Sequence, residues 1–154
     1  MKHEFAISDL GMGVFRQAIP LGNLCNIVLV VYCESLMTQP LEPSIAQISV
    51  EEFARLWAAN PDTLQLVDVR EPQELELAQL EGFLNLPLSE YAEWSINIQA
   101  RLDPQRETLV LCHHGMRSAQ MCAWLVSQGF TNVQNIVGGI DAYSYRVDPS
   151  IPKY

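Results

Sequence analysis

Between Ile45 and Tyr154 the chain alternates two kinds of apolar pattern. One is the short, nearly unbroken run. "TLQLVDVR" (Thr63 to Arg70) and "ETLVLC" (Glu107 to Cys112) read as buried strands. "TNVQNIVGG" reads as one more, closed by Gly138 and Gly139, and "FLNLPL" as a brief extended piece whose Pro87 favours an edge or a terminus. The other pattern is the one-sided stripe. In "ISVEEFARLWAAN", Ser49 is an N-cap with Glu52 three residues on, Phe53, Leu56 and Trp57 form an apolar face, and Pro61 ends the helix. "EPQELELAQL" opens with Pro72 near the first turn and predicts a short helix. "SEYAEWSINIQARL" predicts a further amphipathic helix capped by Ser89, and "RSAQMCAWLVSQG" another that closes on Gly129. Strands alternating with helices predict an α/β domain, a doubly wound parallel sheet flanked by helices on both faces, over residues 45–154. No internal repeat or low-complexity tract interrupts it.

Residues 1–44 read differently. "LCNIVLVVYC" (Leu24 to Cys33) is apolar, but its ten residues fall short of the roughly 20 that span a bilayer. Glu4 and Asp9 occupy what would be the basic start of a signal peptide, and no small-residue cleavage site follows Cys33. The segment is expected to be an apolar or disordered extension outside the domain, with Met37 as an alternative start of translation.

Composition narrows the function classes. The length, 154 residues, suits one sizeable hydrophobic core. Eighteen Asp and Glu against nine Lys and Arg give a formal net charge of −9. That balance argues against sequence-independent nucleic-acid binding and against a polybasic membrane patch. An anionic small substrate would have to be held by local donors. The four cysteines, Cys25, Cys33, Cys112 and Cys122, form no C-x-x-C pair. The common structural zinc pattern is therefore absent, and reduced thiols in the cytoplasm are expected.

Cys112 ends a predicted strand, at the carboxyl edge of the sheet where ligands bind in such folds. "HHGM" (His113 to Met116) must then curl into a tight loop, and Gly115 offers a position where positive φ costs little. A curled loop entering a helix points backbone N–H groups inward and adds the partial positive charge of the helix N-terminus. That cradle suits an anion and favours thiolate over thiol. Arg117 adds a permanent cation. A cysteine ending a buried strand is by itself usually a small hydrophobe. The sequence that follows, His113, His114, Gly115, Met116, Arg117 and Ser118, turns the reading toward a nucleophilic Cys112 in an anion-binding loop.

Four blocks resemble, in order and spacing, those of a single-domain rhodanese-like sulfurtransferase: "LVDVREPQEL", "GFLNLPLSE", "CHHGMRS" and "VGGIDAYS". The resemblance covers about residues 45–154. It implies that the Cys112 thiolate takes the outer sulfur of thiosulfate or a persulfide donor. The Cys112 persulfide would then pass the sulfur to cyanide, a thiol or a sulfur-acceptor protein, in two half-reactions. The amides of His113 to Ser118 would stabilise the persulfide anion. No cofactor is expected, and no metal, since adjacent cysteine and histidines do not converge on one point. Cysteine-dependent phosphatases carry a similar loop with one residue more. The four residues here, His113 to Met116, make a smaller ring that suits sulfur better than phosphate. Phosphatase or arsenate reductase activity is thus the less favoured reading; a non-catalytic binding or redox-sensing module is the main alternative.

The resemblance also places Asp68 and Arg70 beside the loop as a supporting pair, whereas their position alone indicates a structural ion pair. The family's "H-I-P-G-A" type segment is replaced here by "QLEGFLNLP", which leaves the catalytic residues in place and points to a different donor-pocket wall. Glu71 and Glu74 are expected on a solvated helix face, Cys122 in the packed core, and Trp94, Tyr143 and Tyr145 among the core aromatics. Modulation of the donor site by one of the two histidines, whose charge would titrate near neutrality, is a minor reading. With one Arg and no Lys in the loop, the case for thiosulfate as the physiological donor is weakened.

Overall fold

The computed structural model describes residues 45–154. The run Leu24–Cys33 and the alternative start at Met37 lie outside the described residues. The described residues form five short strands: β1 (Ala46–Ile48), β2 (Gln65–Asp68), β3 (Leu84–Asn85), β4 (Thr108–Leu111) and β5 (Val133–Ile136). All pair in parallel, in the spatial order β1-β5-β4-β2-β3. Parallel neighbours need crossovers rather than hairpins, and helices supply them. α1 (Val50–Ala59) follows β1, α2 (Pro72–Leu77) follows β2, and the single turns α3 (Tyr91–Trp94) and α4 (Ile98–Arg101) follow β3. α5 (Met116–Ser127) follows β4, and α6 (Gly139–Arg146) follows β5. The fold is the doubly wound α/β sheet that the alternation predicts.

Strand parity decides which face each side chain serves. Leu109 and Leu111 of β4 pack with Phe53, Leu66, Ile136, Ile140 and Tyr143, the side covered by α1 and α6. Val110 and Cys112 pack with Val67, Met121, Cys122 and Leu125, the side covered by α5. Every residue of β4 is buried, and each such Leu or Val contributes about 1.5–3 kcal/mol relative to an exposed one. The unbroken apolar run is the sequence trace of a strand covered on both faces. It carries Cys112 to the carboxyl edge of the sheet with its side chain toward α5.

Local signals explain most boundaries. Ser49 caps α1, its hydroxyl accepting from the Glu52 N–H at 3.2 Å. Gly129, just beyond α5, has φ +93°, the left-handed geometry common at a helix end. The segment 89–102 departs from expectation. It is not one helix: a 3-10 turn at Leu88–Glu90 leads into α3, and a second at Ser95–Asn97 joins α3 to α4. Ser-Ile-Asn is a run of weak helix formers, while Trp94 is fixed by its indole N–H donating to the Pro87 carbonyl at 2.8 Å. Ser89 does not cap a helix either, because its hydroxyl donates to Glu71. Two elements had no reading in the pattern. β1 is three residues with only Ile48 buried, too short to show a period, and α6 begins on Gly139 directly after the Gly138 N-cap, a composition that reads as the end of a strand.

Candidate active site

Cys112 sits 1 % exposed at the start of the loop that leads into α5. The Gly115 N–H donates to its Sγ at 3.0 Å. Gly115 is the N-cap of α5 at φ +93°, and a Cβ there would stand 3.0 Å from the Gly138 nitrogen. Conformation and space both demand glycine. The curled part is therefore His113 to Gly115; Met116, expected in the loop, is already the first helical residue and is 74 % exposed.

The loop is held from the other side by α6. The Ile140 and Asp141 N–H groups donate to the Cys112 and His113 carbonyls at 2.9 and 3.1 Å. These are first-turn amides, which have no partner inside their own helix. The loop's carbonyls are thus used toward α6, and the Gly115 N–H is turned to the sulfur.

A second donor reaches the sulfur through a buried polar chain. The Ser118 hydroxyl, in the first turn of α5, lies 3.2 Å from Cys112 Sγ and 2.6 Å from Asn135 Oδ1. Ser118 is 0 % and Asn135 4 % exposed. Asn135 shares the parity of Val133 on β5, which packs on the α5 side, so the sheet itself aims it at Ser118. One hydroxyl carries one proton. That proton serves either Asn135 Oδ1 or Cys112 Sγ, and a negative sulfur competes for it more strongly than a thiol does.

Arg117 is not a free cation. Its Nη1 and Nη2 donate to the two carboxylate oxygens of Glu74, both at 2.7 Å. This bidentate pair, the geometry guanidinium suits best, holds the Glu74 carboxyl down at about 2. Glu74 and Glu71 were expected on a solvated face; α2 instead turns Glu74 to Arg117, and Glu71 accepts from the Ser89 N–H at 3.3 Å. The Tyr154 hydroxyl donates to Glu74 Oε1 at 3.2 Å and accepts from Arg70 Nη1 at 2.7 Å. Arg70, wholly buried, also binds Asp68 through Nε and Nη2 and the Ala78 carbonyl through Nη1. Asp68 and Arg70 thus reach the loop indirectly, through Tyr154.

The Tyr154 ring stacks on His113, centroids 4.3 Å apart, and His113 stacks on His114 at 3.9 Å. Burial, and then the neighbouring His114 charge, push the His113 pKa below its ordinary value. His113, His114 and Asp141 each bring one ligand atom within 4.8 Å of the others. The two imidazoles are nearly parallel, at 19°, so their in-plane lone pairs do not converge on one ion. Cys122 is fully buried, and burial pushes its thiol up to about 12; it is core, as expected. Trp94 and Tyr143 are buried, but Tyr145 is 73 % exposed and is not a core aromatic.

Residues 49–145, more than half of the chain, match the family model of the rhodanese-like domain. The chain belongs to the rhodanese-like family. It is 54% identical over 93 residues to the rhodanese-like/PpiC domain-containing protein 12, chloroplastic, of Arabidopsis thaliana, covering 60% of this chain and 31% of that protein. It is 33% identical over 101 residues to a sulfurtransferase of Allochromatium vinosum, covering 65% of this chain and 89% of the relative. Among solved structures, a rhodanese-related protein from Thermoplasma volcanium is 29% identical, with TM-score 0.53, over 66% of this chain and 93% of that one. The rhodanese-like chain spans between about a quarter and a third of the length of several curated relatives it matches. Other matched relatives include a putative sulfur carrier protein of Bacillus subtilis, 35% identical over 105 residues, covering 68% of this chain and 54% of the relative.

Sequence reading found Cys112, its loop, Ser118 and the Asp68–Arg70 pair. It missed Asn135, Glu74 as the partner of Arg117, and Tyr154. Asn135 left a signal, a polar residue inside a buried strand. Tyr154 left none.

Proposed function

We propose that this protein moves sulfane sulfur through a persulfide on Cys112. The Cys112 thiolate takes the outer sulfur of thiosulfate or a persulfide, and cyanide, a thiol or a sulfur-acceptor protein then removes it. The observation that carries the reading is Cys112 Sγ facing the Gly115 N–H and the Ser118 hydroxyl, at 3.0 and 3.2 Å. Donors fixed in a water-poor site stabilise charge on sulfur without reorganising when it develops. The chemistry needs a reduced thiol, which fits a cytoplasmic, reducing setting.

Intact mass after incubation with thiosulfate, and separately with cysteine persulfide, tests this. The expected result is a gain of one sulfur atom, removed by cyanide and absent in Cys112→Ser. The Ser variant should keep the circular dichroism of the parent. Full thiosulfate:cyanide activity in Cys112→Ser, or no adduct with either donor, would overturn the reading; the latter would favour a binding module.

A further inference from the structure

The carboxyl edge of the sheet holds more acid than base. Its guanidinium groups are both occupied: Arg117 by Glu74 in two bonds of 2.7 Å, and Arg70 by Asp68 at 2.6 Å. Glu71 and Asp141 add two further carboxylates, Asp141 lying 3.8 Å from the His114 imidazole. Burial disfavours the protonated form of His113. The Lys153 ammonium is turned to the Tyr145 ring, 4.7 Å from its centroid. Tyr154 fixes the arrangement by donating to Glu74 and accepting from Arg70. Beside this acidic rim, the stacked rings of Tyr154, His113 and His114 form an aromatic ledge.

A thiosulfate dianion gains little from such a rim, since the loop's cation is already neutralised. An organic persulfide of low charge meets no such penalty, and its carbon chain finds the ledge. Resting on the sulfur-transfer reading above, we propose that Glu74 is a specificity-determining residue. By occupying Arg117 it makes Cys112 selective for alkyl persulfides over thiosulfate. The step is balanced. The Cys112 thiolate attacks the terminal sulfur of R–S–SH, the Cys112 Sγ–S bond forms as the donor's S–S bond breaks, and the electron pair leaves with the inner sulfur as R–S⁻. The product is the Cys112 persulfide, with the proton on its outer sulfur, and nothing is oxidised or reduced overall.

The test compares rates of sulfur loading on Cys112 from thiosulfate and from cysteine persulfide, by intact mass, in the parent and in Glu74→Gln. Freeing a unit positive charge beside a dianion at a surface site is expected to raise the thiosulfate-to-persulfide rate ratio on the order of tenfold. Salt provides a readout that a structural defect would not move. Thiosulfate loading should rise or stay level with added KCl in the parent and fall with it in Glu74→Gln. Should Glu74→Gln fold poorly, the parent's salt dependence stands alone: loading from thiosulfate that falls steeply with salt would overturn the proposal. An unchanged donor ratio in a folded Glu74→Gln would overturn it too. Absence of loading from both donors would instead refute sulfur transfer itself, and this specificity with it.

Discussion

Replacing Gly139 by alanine should separate the loop from the helix that holds it. An ideal Cβ at Gly139 would lie far inside contact of the Cys112 and His113 carbonyl oxygens, which are backbone and cannot swing aside. Relief requires α6 to withdraw from the loop, which breaks the Ile140 N–H to Cys112 and Asp141 N–H to His113 hydrogen bonds of 2.9 and 3.1 Å. Each lost bond costs about 0.5–1.5 kcal/mol net. The φ of +61° adds roughly 1–2 kcal/mol for any L-residue in left-handed geometry. The sum is about 2–5 kcal/mol, a large share of the roughly 5–15 kcal/mol that holds an ordinary domain folded.

Gly129 supplies the matched control. Its φ is +93°, yet nothing lies within 4 Å of an added Cβ, so Gly129→Ala should cost only the backbone part, about 1–2 kcal/mol. The unfolded-state gain from replacing glycine is common to both variants and cancels in their difference. Urea unfolding followed by circular dichroism gives the two stabilities. Sulfur loading of Cys112, measured where both variants are folded, should be slowed only in Gly139→Ala. Equal destabilisation by the two substitutions would refute the contact between α6 and the loop as the source of the glycine requirement.

Three other outcomes follow from the same geometry. The Glu74 carboxyl, held at about 2 against an ordinary 4.5 by Arg117's hydrogen bonds, has a folded pKa below its unfolded one. Its contribution to stability is therefore complete above about 4.5 and lost as pH falls toward 2. The urea midpoints of the parent and Glu74→Gln should accordingly converge by about half of the Glu74–Arg117 contribution between pH 5 and pH 3, and further below that, and a constant gap would contradict the pairing. An NMR titration of the His113 ring should show a midpoint below 6.5, moved back toward 6.5 by Tyr154→Ala, which removes the stacked ring; a midpoint at or above 6.5 in the parent would contradict the burial argument. Ser118→Ala should slow persulfide formation and cost about 1–3 kcal/mol for the Asn135 oxygen left without its donor in a buried site, with Ser118→Thr restoring both, as read by loading rates and urea melts.

The fold was legible wherever burial on both faces left a continuous apolar run. β4 and the Leu66–Val67 centre of β2 are such runs, β5 keeps the buried pattern with Gln134 and Asn135 inside it, and the helical stripes between the strands allow the parallel crossovers. β1 and β3, of three and two residues, are edge strands defined by their neighbours, and β1 carried no pattern to read. The helix expected over 89–102 failed for a different reason. A single stripe of Trp94, Ile98 and Leu102, all buried, satisfies helical periodicity whether or not the backbone between them is α-helical, and the poor helix formers at Ser95–Asn97 settle the turn type locally.

At the site, what sequence order reveals is limited to what the chain places within a few residues. The Cys112-to-Ser118 loop is contiguous, so its nucleophile, its glycine and its serine could all be read. Arg117 reads as a lone cation by the same logic, and there the logic breaks down. Its partner, Glu74, stands 43 positions away and is brought to it only because β2 and β4 are neighbours in the sheet, with Asp68 in register with Leu111. That register puts the segment after β2 and the loop after β4 at the same edge, so a charge written on one is answered by a charge written on the other. The effective charge of such a loop is a property of the sheet order. A loop of identical sequence beside a different β2–α2 segment would present its arginine to the substrate and select a different donor.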